Sequence, residues 1–486
     1  MSVDHGSGWD SMSKSYKMYL GGEWVSSKTT IAVTCPYDGV LVGKAAAATR
    51  SDYTKAIAIA DQAFAVMRKL PSYKREKILH QIANGIEKNA ETFARTISLE
   101  MGKVIRDARS EVGRAVSTFR VSAEEAKRIG GDVIDLDWLP GHEQRTGIVR
   151  RFPIGVIAGI TPFNFPINLV AHKVGPAIAS GNTIVLKPAS KTPIVALLLA
   201  EVIDQSDLPR GAISILPGAS SEAAPLLEDE RVKLVTFTGS SDVGWYIKQH
   251  CGKKKVVLEL GGNAGVIVAD DANLDWAVAR LLFGGFTSNG QSCISVQRIF
   301  VHDRVYDAFI RKFASLVKKM KVGSPLAEDS DISAMVDTNS TEKVKTWIDD
   351  AVSQGARIIC GGKIQNGVLL PTVLSDVKPT MKVCENEVFA PLVSIAKYRD
   401  FKAAVAAVND SVYGLQAGVF TNRLDDVMYA YEEIQTGGVV INDVPTYRAD
   451  HMPYGGVKDS GLQREGVRYA IEDMTESKIL VLNLKN

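Results

Sequence analysis

Apolar residues recur at helical spacing over the first quarter of the chain. Tyr53, Ile57, Ala60, Phe64 and Met67 fall at i, i+4, i+7, i+11 and i+14. This spacing predicts one buried helix face ended by Pro71, with Ser51 as its N-cap. Ile78, Ile82 and Ile86 carry the same signal into the next segment. These faces are read as core, with no chemistry in them.

Beyond residue 155 the period changes. Short apolar runs at 155–160, 183–186, 212–216, 234–238 and 256–260 alternate with helical patterns near 167–180, 193–205, 221–228 and 242–250. Strand, helix, strand repeated this way predicts a parallel, doubly wound α/β sheet buried on both faces. Ligands of such sheets bind beyond the carboxyl ends of the strands, so the chemistry-bearing residues are expected there. A second α/β stretch runs from about 265 to 440, with strand patterns at 299–302, 356–360 and 438–442. Residues 131–151 read as a loosely attached hairpin and 477–484 as a lone strand. An isolated strand is not stable unpaired, so these two are expected to pair, within the chain or across a subunit interface.

Composition narrows the function classes. The 486 residues are 45% hydrophobic and 23% charged, ordinary values for a globular chain. Net charge is 57 − 55 = +2, which gives no basic field for nucleic acid or an anionic membrane. The first fifteen residues lack a basic stretch followed by an apolar run, so no signal peptide is expected. The apolar stretches 193–203 and 152–170 are too short or too broken by proline and asparagine to span a bilayer. Five cysteines, 35, 251, 293, 360 and 384, make an odd count without a CxxC motif. A reduced, cytoplasmic protein is expected. The seven histidines show no ligand spacing, so no metal is expected.

Four polar segments sit at or just beyond the predicted strand ends: Thr161-Pro162-Phe163-Asn164-Phe165-Pro166, Lys187-Pro188-Ala189-Ser190, Phe237-Thr238-Gly239-Ser240 and Glu259-Leu260-Gly261-Gly262-Asn263. A fifth, Gly290-Gln291-Ser292-Cys293, places a cysteine in a small, polar loop 34 residues after Glu259. A thiolate there is a soft nucleophile for a carbonyl carbon. An acid inside the apolar run 256–260 is costly unless used, and burial would raise its pKa as a general base requires. Asn164, between aromatics and prolines, is a rigidly held amide. With Glu387-Val388-Phe389 and 453–461 (Pro-Tyr-Gly-Gly-Val-Lys-Asp-Ser-Gly), these segments closely resemble the aldehyde dehydrogenase superfamily over nearly the whole chain.

The resemblance implies an NAD(P)-dependent oxidation of a small aldehyde to its acid. It makes Cys293 the nucleophile, Glu259 the base that activates water, and Asn164 with the Cys293 backbone N–H the oxyanion hole. A CoA-acylating ending is the enzymatic alternative, and a silent structural or binding relative the other. The chain has no GxGxxG; its nearest substitute is the turn Gly239–Gly244 into a helix. The implied cofactor pocket comprises Ile160, Thr161, Pro162, Lys187, Ser190, Gly218, Thr238, Gly239, Ser240, Val243, Leu260, Glu387 and Phe389. NAD-preferring relatives often carry an acid at position 190. Here Ser190 precedes the cationic Lys191, which points to acceptance of NADP.

For the substrate, relatives that bind phosphate- or carboxylate-bearing aldehydes often place arginine just before the nucleophile, where this chain has Ser292. Arg448, His451 and Arg120 are candidates for the tunnel mouth, with Arg106 and Arg109 behind them. The loop resembles that of dehydrogenases acting on lactaldehyde, glycolaldehyde or phosphonoacetaldehyde. The implied organisation is a dinucleotide-binding domain at 1–130 and 154–261, a catalytic domain at 262–448 and a small β oligomerisation arm at 131–153 and 472–486. Residues 449–471 return to the tunnel mouth, and assembly as a homodimer or homotetramer is implied.

Overall fold

The computed structural model describes residues 14–483. Most of the segment searched for a signal peptide, and the last residue of the C-terminal strand pattern, lie outside them. After five short strands between residues 15 and 46 come four helices: Arg50–Met67, Ser72–Lys88, Ala90–Met101 and Ile105–Glu125. The first buries Tyr53, Ile57, Ala60 and Met67, while Phe64 is only half-buried. Its cap is Thr49, not Ser51. The Thr49 hydroxyl accepts from the Asp52 N–H and the Asp52 carboxylate accepts from the Thr49 N–H, a reciprocal capping box.

The first sheet has eight strands in the order Gly461–Leu462, Lys255–Glu259, Val232–Thr238, Val156–Ile160, Thr183–Lys187, Ile213–Ile215, Met18–Leu20 and Glu23–Val25. The five from Lys255–Glu259 to Ile213–Ile215 are parallel. Their apolar residues are almost all buried, as expected where helices cover both faces. Strand order reverses between Val156–Ile160 and Val232–Thr238, which opens a crevice at their carboxyl ends. Register aligns Ile160 with Lys187 and Phe237, and Thr238 with Glu259, so four of the polar segments begin side by side. The helical pattern expected at 221–228 shrinks to Pro225–Glu228.

A second sheet has seven strands in the order Arg357–Cys360, Thr372–Ser375, Leu392–Tyr398, Val296–His302, Ala264–Val268, Gln416–Phe420 and Gly438–Ile441, parallel except at the first. The hairpin and the terminal strand pair within the chain: Arg145–Pro153 runs antiparallel to Thr475–Asn483 and to Val133–Asp135. This small sheet leaves Val133, Ile479, Leu480 and Val481 exposed. Among the described residues, no helix is long and apolar enough to cross a membrane.

Candidate active site

Between the two large sheets lies a cavity of about 1040 Å³. Cys293 reaches its wall from a loop that ordinary side chains would not adopt unaided. After the helix Leu274–Phe286, Ser288 and Asn289 both have positive φ, 53° and 57°, followed by Gly290 at 68°. Left-handed non-glycine residues cost of order 1–3 kcal/mol each and persist only where neighbours over-determine them. Here they do. Asp107 accepts from the Thr287 hydroxyl and the Ser288 N–H at 2.9 and 2.7 Å. The buried Asn289 amide donates to the Gly102 and Ala334 carbonyls and accepts from Ser333 N–H. A Cβ on Gly290 would lie 2.1 Å from the Ala390 carbonyl oxygen.

Two predicted catalytic residues, Asn164 and Glu259, share the cavity wall with Cys293. A Cβ on Gly262 would lie 2.1 Å from the Cys293 carbonyl oxygen, so the Gly-Gly after Glu259 is what lets the two loops close. Asn164 is buried, donates from Nδ2 to the Gln291 carbonyl at 3.0 Å and leaves its Oδ1 without a partner among the described residues. Its loop is held from below by the buried ion pair Lys103–Glu111: Lys103 donates to the Asn164 carbonyl and Glu111 accepts from Ile167 N–H. Glu259 is 3% exposed, and neither of its carboxylate oxygens has a partner among the described residues. Burial and the neighbouring Glu465 hold its carboxyl well above the usual carboxylate range. Burial likewise pushes the Cys293 thiol up to about 12.

Tyr454, Arg448 and Glu465 also line this wall, and of these three sequence reasoning assigned a role only to Arg448. The Tyr454 hydroxyl lies 3.2 Å from Cys293 Sγ. Glu465 accepts from Arg448 at 2.9 Å and from Lys173 at 3.1 Å, and Lys173 also donates to the Thr236 and Thr238 hydroxyls. These two cations hold the Glu465 carboxyl down at about 2, despite full burial. Lys173 carried a readable signal: a lysine inside the wholly buried helix Asn168–Ser180 must have an internal partner. Glu465 offered none until the chain returns to pair Tyr454 with it.

The predicted cofactor residues form a row along the crevice. Pro162, Thr238, Gly239, Ser240, Leu260, Glu387 and Phe389 line the cavity itself. Ile160, Thr161, Lys187, Ser190, Gly218 and Val243 lie outside its wall, along the same strand ends and the turn into the helix Ser241–His250. Lys187 is a largely buried residue whose ammonium has no hydrogen-bond or ion-pair partner among the described residues, and burial lowers its pKa. Thr161 Oγ1 is buried without a partner too. Ser240 caps the helix Ser241–His250 without a side-chain bond, which leaves its first N–H groups for an anion. Orphaned donors of this kind in a crevice fit a polyhydroxylated, anionic dinucleotide. Glu387 accepts from Gly262 N–H, and burial pushes its carboxyl up to about 7. Thr238 is otherwise engaged, through Lys173 and Glu465. Ser190 donates to the Gly218 carbonyl, and Lys191, the cation expected beside it, is ion-paired with Asp337 at 3.2 Å.

The substrate expectations divide. Ser292 and Arg448 line the cavity. Arg120 does not: it pairs with Glu87 over a separate shallow surface recess, because it projects from another face of the helix Ile105–Glu125. Arg109 lies in the same recess, paired with Glu91 and Glu328. His451 is exposed and does not line the cavity, since its loop turns outward after Asp450 anchors it inward on Arg114 and His172. Arg106, also a candidate, does line the cavity, together with Arg114 and Arg280.

Three comparisons bear on this site. The Aldehyde dehydrogenase family profile matches residues 24–480. A 3-sulfolactaldehyde dehydrogenase of Priestia aryabhattai is 46% identical over 472 residues, covering 97% of this chain and 98% of its own. Aldehyde dehydrogenase 21 from Physcomitrella patens, solved with the reaction product succinate, matches with a TM-score of 0.95 and 44% identity over 97% of this chain and 98% of that one. Glyceraldehyde-3-phosphate dehydrogenase GapN from Methanocaldococcus jannaschii, solved with NADP, matches with a TM-score of 0.90 and 38% identity over 93% and 99%.

Proposed function

The chain belongs to the aldehyde dehydrogenase family, whose members oxidise aldehydes to acids with NAD(P), and from that premise we propose how its residues divide the work and which aldehydes it takes. The observation that carries the reading is the convergence of Cys293, Asn164 and a partnerless Glu259 on one cavity wall. Cys293, as thiolate, attacks the carbonyl carbon to form a thiohemiacetal. Its oxyanion is held by the second N–H of the Asn164 amide, the first being pinned to Gln291, and by the Cys293 backbone N–H. NAD(P), when bound along the crevice by Lys187, Ser240 and Glu387, supplies the hydride acceptor. The thioester left on Cys293 is hydrolysed by a water from which Glu259 takes a proton; the sulfur leaves and the acid departs. Retention of a water-activating base disfavours a CoA-acylating ending, and the intact set disfavours a silent relative.

For the substrate, the reading is a small aldehyde bearing a hydroxyl or an anionic group. Arg114, Arg280 and Arg448 line the cavity from three different elements, which supports anion recognition without an arginine at 292. A relative acting on 3-sulfolactaldehyde and a neighbour holding succinate agree with it. NADP is accepted on this reading because no acidic side chain stands at Ser190, although Lys191 is already taken by Asp337. The organisation that goes with it is the one implied by the motifs: a cofactor domain at 1–130 and 154–261, a catalytic domain at 262–448, the segment 449–471 returning between them, and an arm whose exposed apolar strands join a homodimer or homotetramer. The setting is cytoplasmic.

The test is reduced-cofactor formation at 340 nm with 3-sulfolactaldehyde, lactaldehyde, succinic semialdehyde and propanal, with NAD and with NADP. Cys293→Ala is expected to lower activity by about 10⁴-fold or more, as loss of a nucleophile does. Activity surviving in that variant would overturn the mechanism; a preference for propanal over the three oxygenated aldehydes would overturn the substrate class.

A further inference from the structure

Tyr454 is the residue nearest the nucleophile that the mechanism above leaves idle. Its ring is buried, 3% exposed, and its hydroxyl sits 3.2 Å from Cys293 Sγ. The backbone is fixed on both sides: Tyr454 N–H donates to the Glu465 carbonyl and Glu465 N–H to the Tyr454 carbonyl, at 3.0 and 2.6 Å. The Arg448 guanidinium lies 3.7 Å from the ring centroid. A cation over the face draws electron density from the ring and makes the phenol a better donor.

We propose that Tyr454 is a fourth catalytic residue, acting at Cys293: its hydroxyl donates a hydrogen bond to the sulfur, aims it into the cavity and stabilises it as the thiolate. The inference rests on the reading of Cys293 as nucleophile. A thiolate has no hydrogen to give, so the phenol must donate; the thiol proton leaves to solvent and the phenol keeps its own. The charged and titratable groups facing Cys293 make such a donor necessary. Burial, Glu387 and Glu259 all oppose the thiolate, and the Tyr454 hydrogen bond and Arg448 favour it. Tyr454 does not itself ionise in the working range, because burial, Cys293 and Glu259 hold its phenol well above 10.

Phenylalanine at 454 would keep the ring, the backbone pairs and the cation stack and remove only the oxygen. The experiment follows alkylation of Cys293 by iodoacetamide in the full-length enzyme, without aldehyde, by peptide mass spectrometry from pH 6 to 10. A hydrogen bond to a charged group is worth about a tenfold change in such an equilibrium or more. The thiol sits above this range, so the logarithm of the rate should climb in a line with pH. Tyr454→Phe is therefore expected to alkylate about tenfold more slowly at each pH, which displaces the line up by about one pH unit. A purely structural role would lower thermal stability without displacing the line, and an undisplaced line overturns the proposal.

Biosynthetic replacement of tyrosine by 3-fluorotyrosine, a more acidic donor, is a second test that does not need the variant to fold. It should speed alkylation at each pH in the wild-type sequence, and an unchanged rate there counts equally against the proposal. The two readings fail separately. Cys293→Ala retaining aldehyde oxidation removes the nucleophile reading, whereas an inactive Cys293→Ala with an unshifted Tyr454→Phe profile removes only the tyrosine.

Discussion

The two ends of the cavity are built on opposite principles. At the reacting end, polar groups are buried and left without partners: both oxygens of Glu259 and Asn164 Oδ1, with Thr161 Oγ1 further along the crevice. At the mouth, each arginine is already matched, Arg114 to Asp450, Arg280 to Asp443 and Arg106 to Asp331. An unmade hydrogen bond in the interior costs about 1–3 kcal/mol per group, so folds rarely leave them. Where they cluster, a ligand or a water is what they are shaped for. Arg448 stands on the boundary, with Nη2 on Glu465 and a buried Nε that has no partner among the described residues. Two carboxylates show the same contrast at close range. Glu465, between Lys173 and Arg448, is held as an anion with its carboxyl down at about 2. Glu259, facing no such pair directly, is pushed up and can exchange a proton.

The sharpest way to break this contrast is Glu259→Gln. If the partnerless acid is the base for hydrolysis, the variant should still acylate, and intact mass should show an acyl adduct accumulating on the chain. Turnover should fall by about 10³-fold, within the range seen when a general base is lost. The pH dependence follows in sign. Hydrolysis needs the carboxylate, and the carboxyl sits above its ordinary value, so the hydrolysis rate of the wild-type adduct should climb with pH through that raised pKa. In Glu259→Gln the climb should flatten. A Gln variant that turns over normally would mean that the empty oxygens are a packing accident.

Asn164→Ala comes next in size. Its side-chain amide is fixed by the Gln291 carbonyl and its backbone by the Lys103–Glu111 pair, so its loss removes one oriented donor with little else. We expect kcat/KM to fall by about 10²–10³, with cofactor affinity, read by fluorescence titration, unchanged. A fall of less than about threefold would show that the backbone N–H alone holds the oxyanion.

How much of this was legible in the residues follows from the same contrast. Cys293, Glu259 and Asn164 were readable because each breaks its local pattern: a thiol among small polar residues, an acid in an apolar strand, an amide between prolines. The doubly wound sheet was readable because strands buried on both faces need unbroken apolar runs. The paired arginines were not readable, since an arginine reads as solvated surface until the fold supplies its partner. Arg120 and Arg114 lie on one helix, six residues apart, yet only Arg114 meets the returning loop at Asp450. His451 was misjudged because its neighbour Asp450, not the histidine, makes the inward contact. Thr49 was passed over as a cap because its partner Asp52 is an aspartate, where the capping-box signature expects glutamate or glutamine.

Arg114 gives the smallest and most discriminating effect. It is already bound to Asp450 at 2.7 Å, and Asp450 is also held by His172 at 2.9 Å and by Asn168. That second pair of contacts keeps Asp450 in place when Arg114 is removed, so Arg114→Met should leave the loop and the reacting end intact. Asp450 stays ionised throughout the working range because its partners hold its carboxyl far below the usual value. A substrate anion must therefore share the guanidinium with a permanent internal competitor. The gain from sharing is smaller than that from an unpaired arginine, and we expect KM for 3-sulfolactaldehyde or succinic semialdehyde to rise by about tenfold, the lower end for a hydrogen bond between charged groups. The maximum rate and the kinetics with propanal should stay as they were. An equal rise for propanal would place Arg114 among the architectural ion pairs of the mouth, and an unchanged KM for the anionic aldehydes would leave Arg280 and Arg448 as the groups that read the anion.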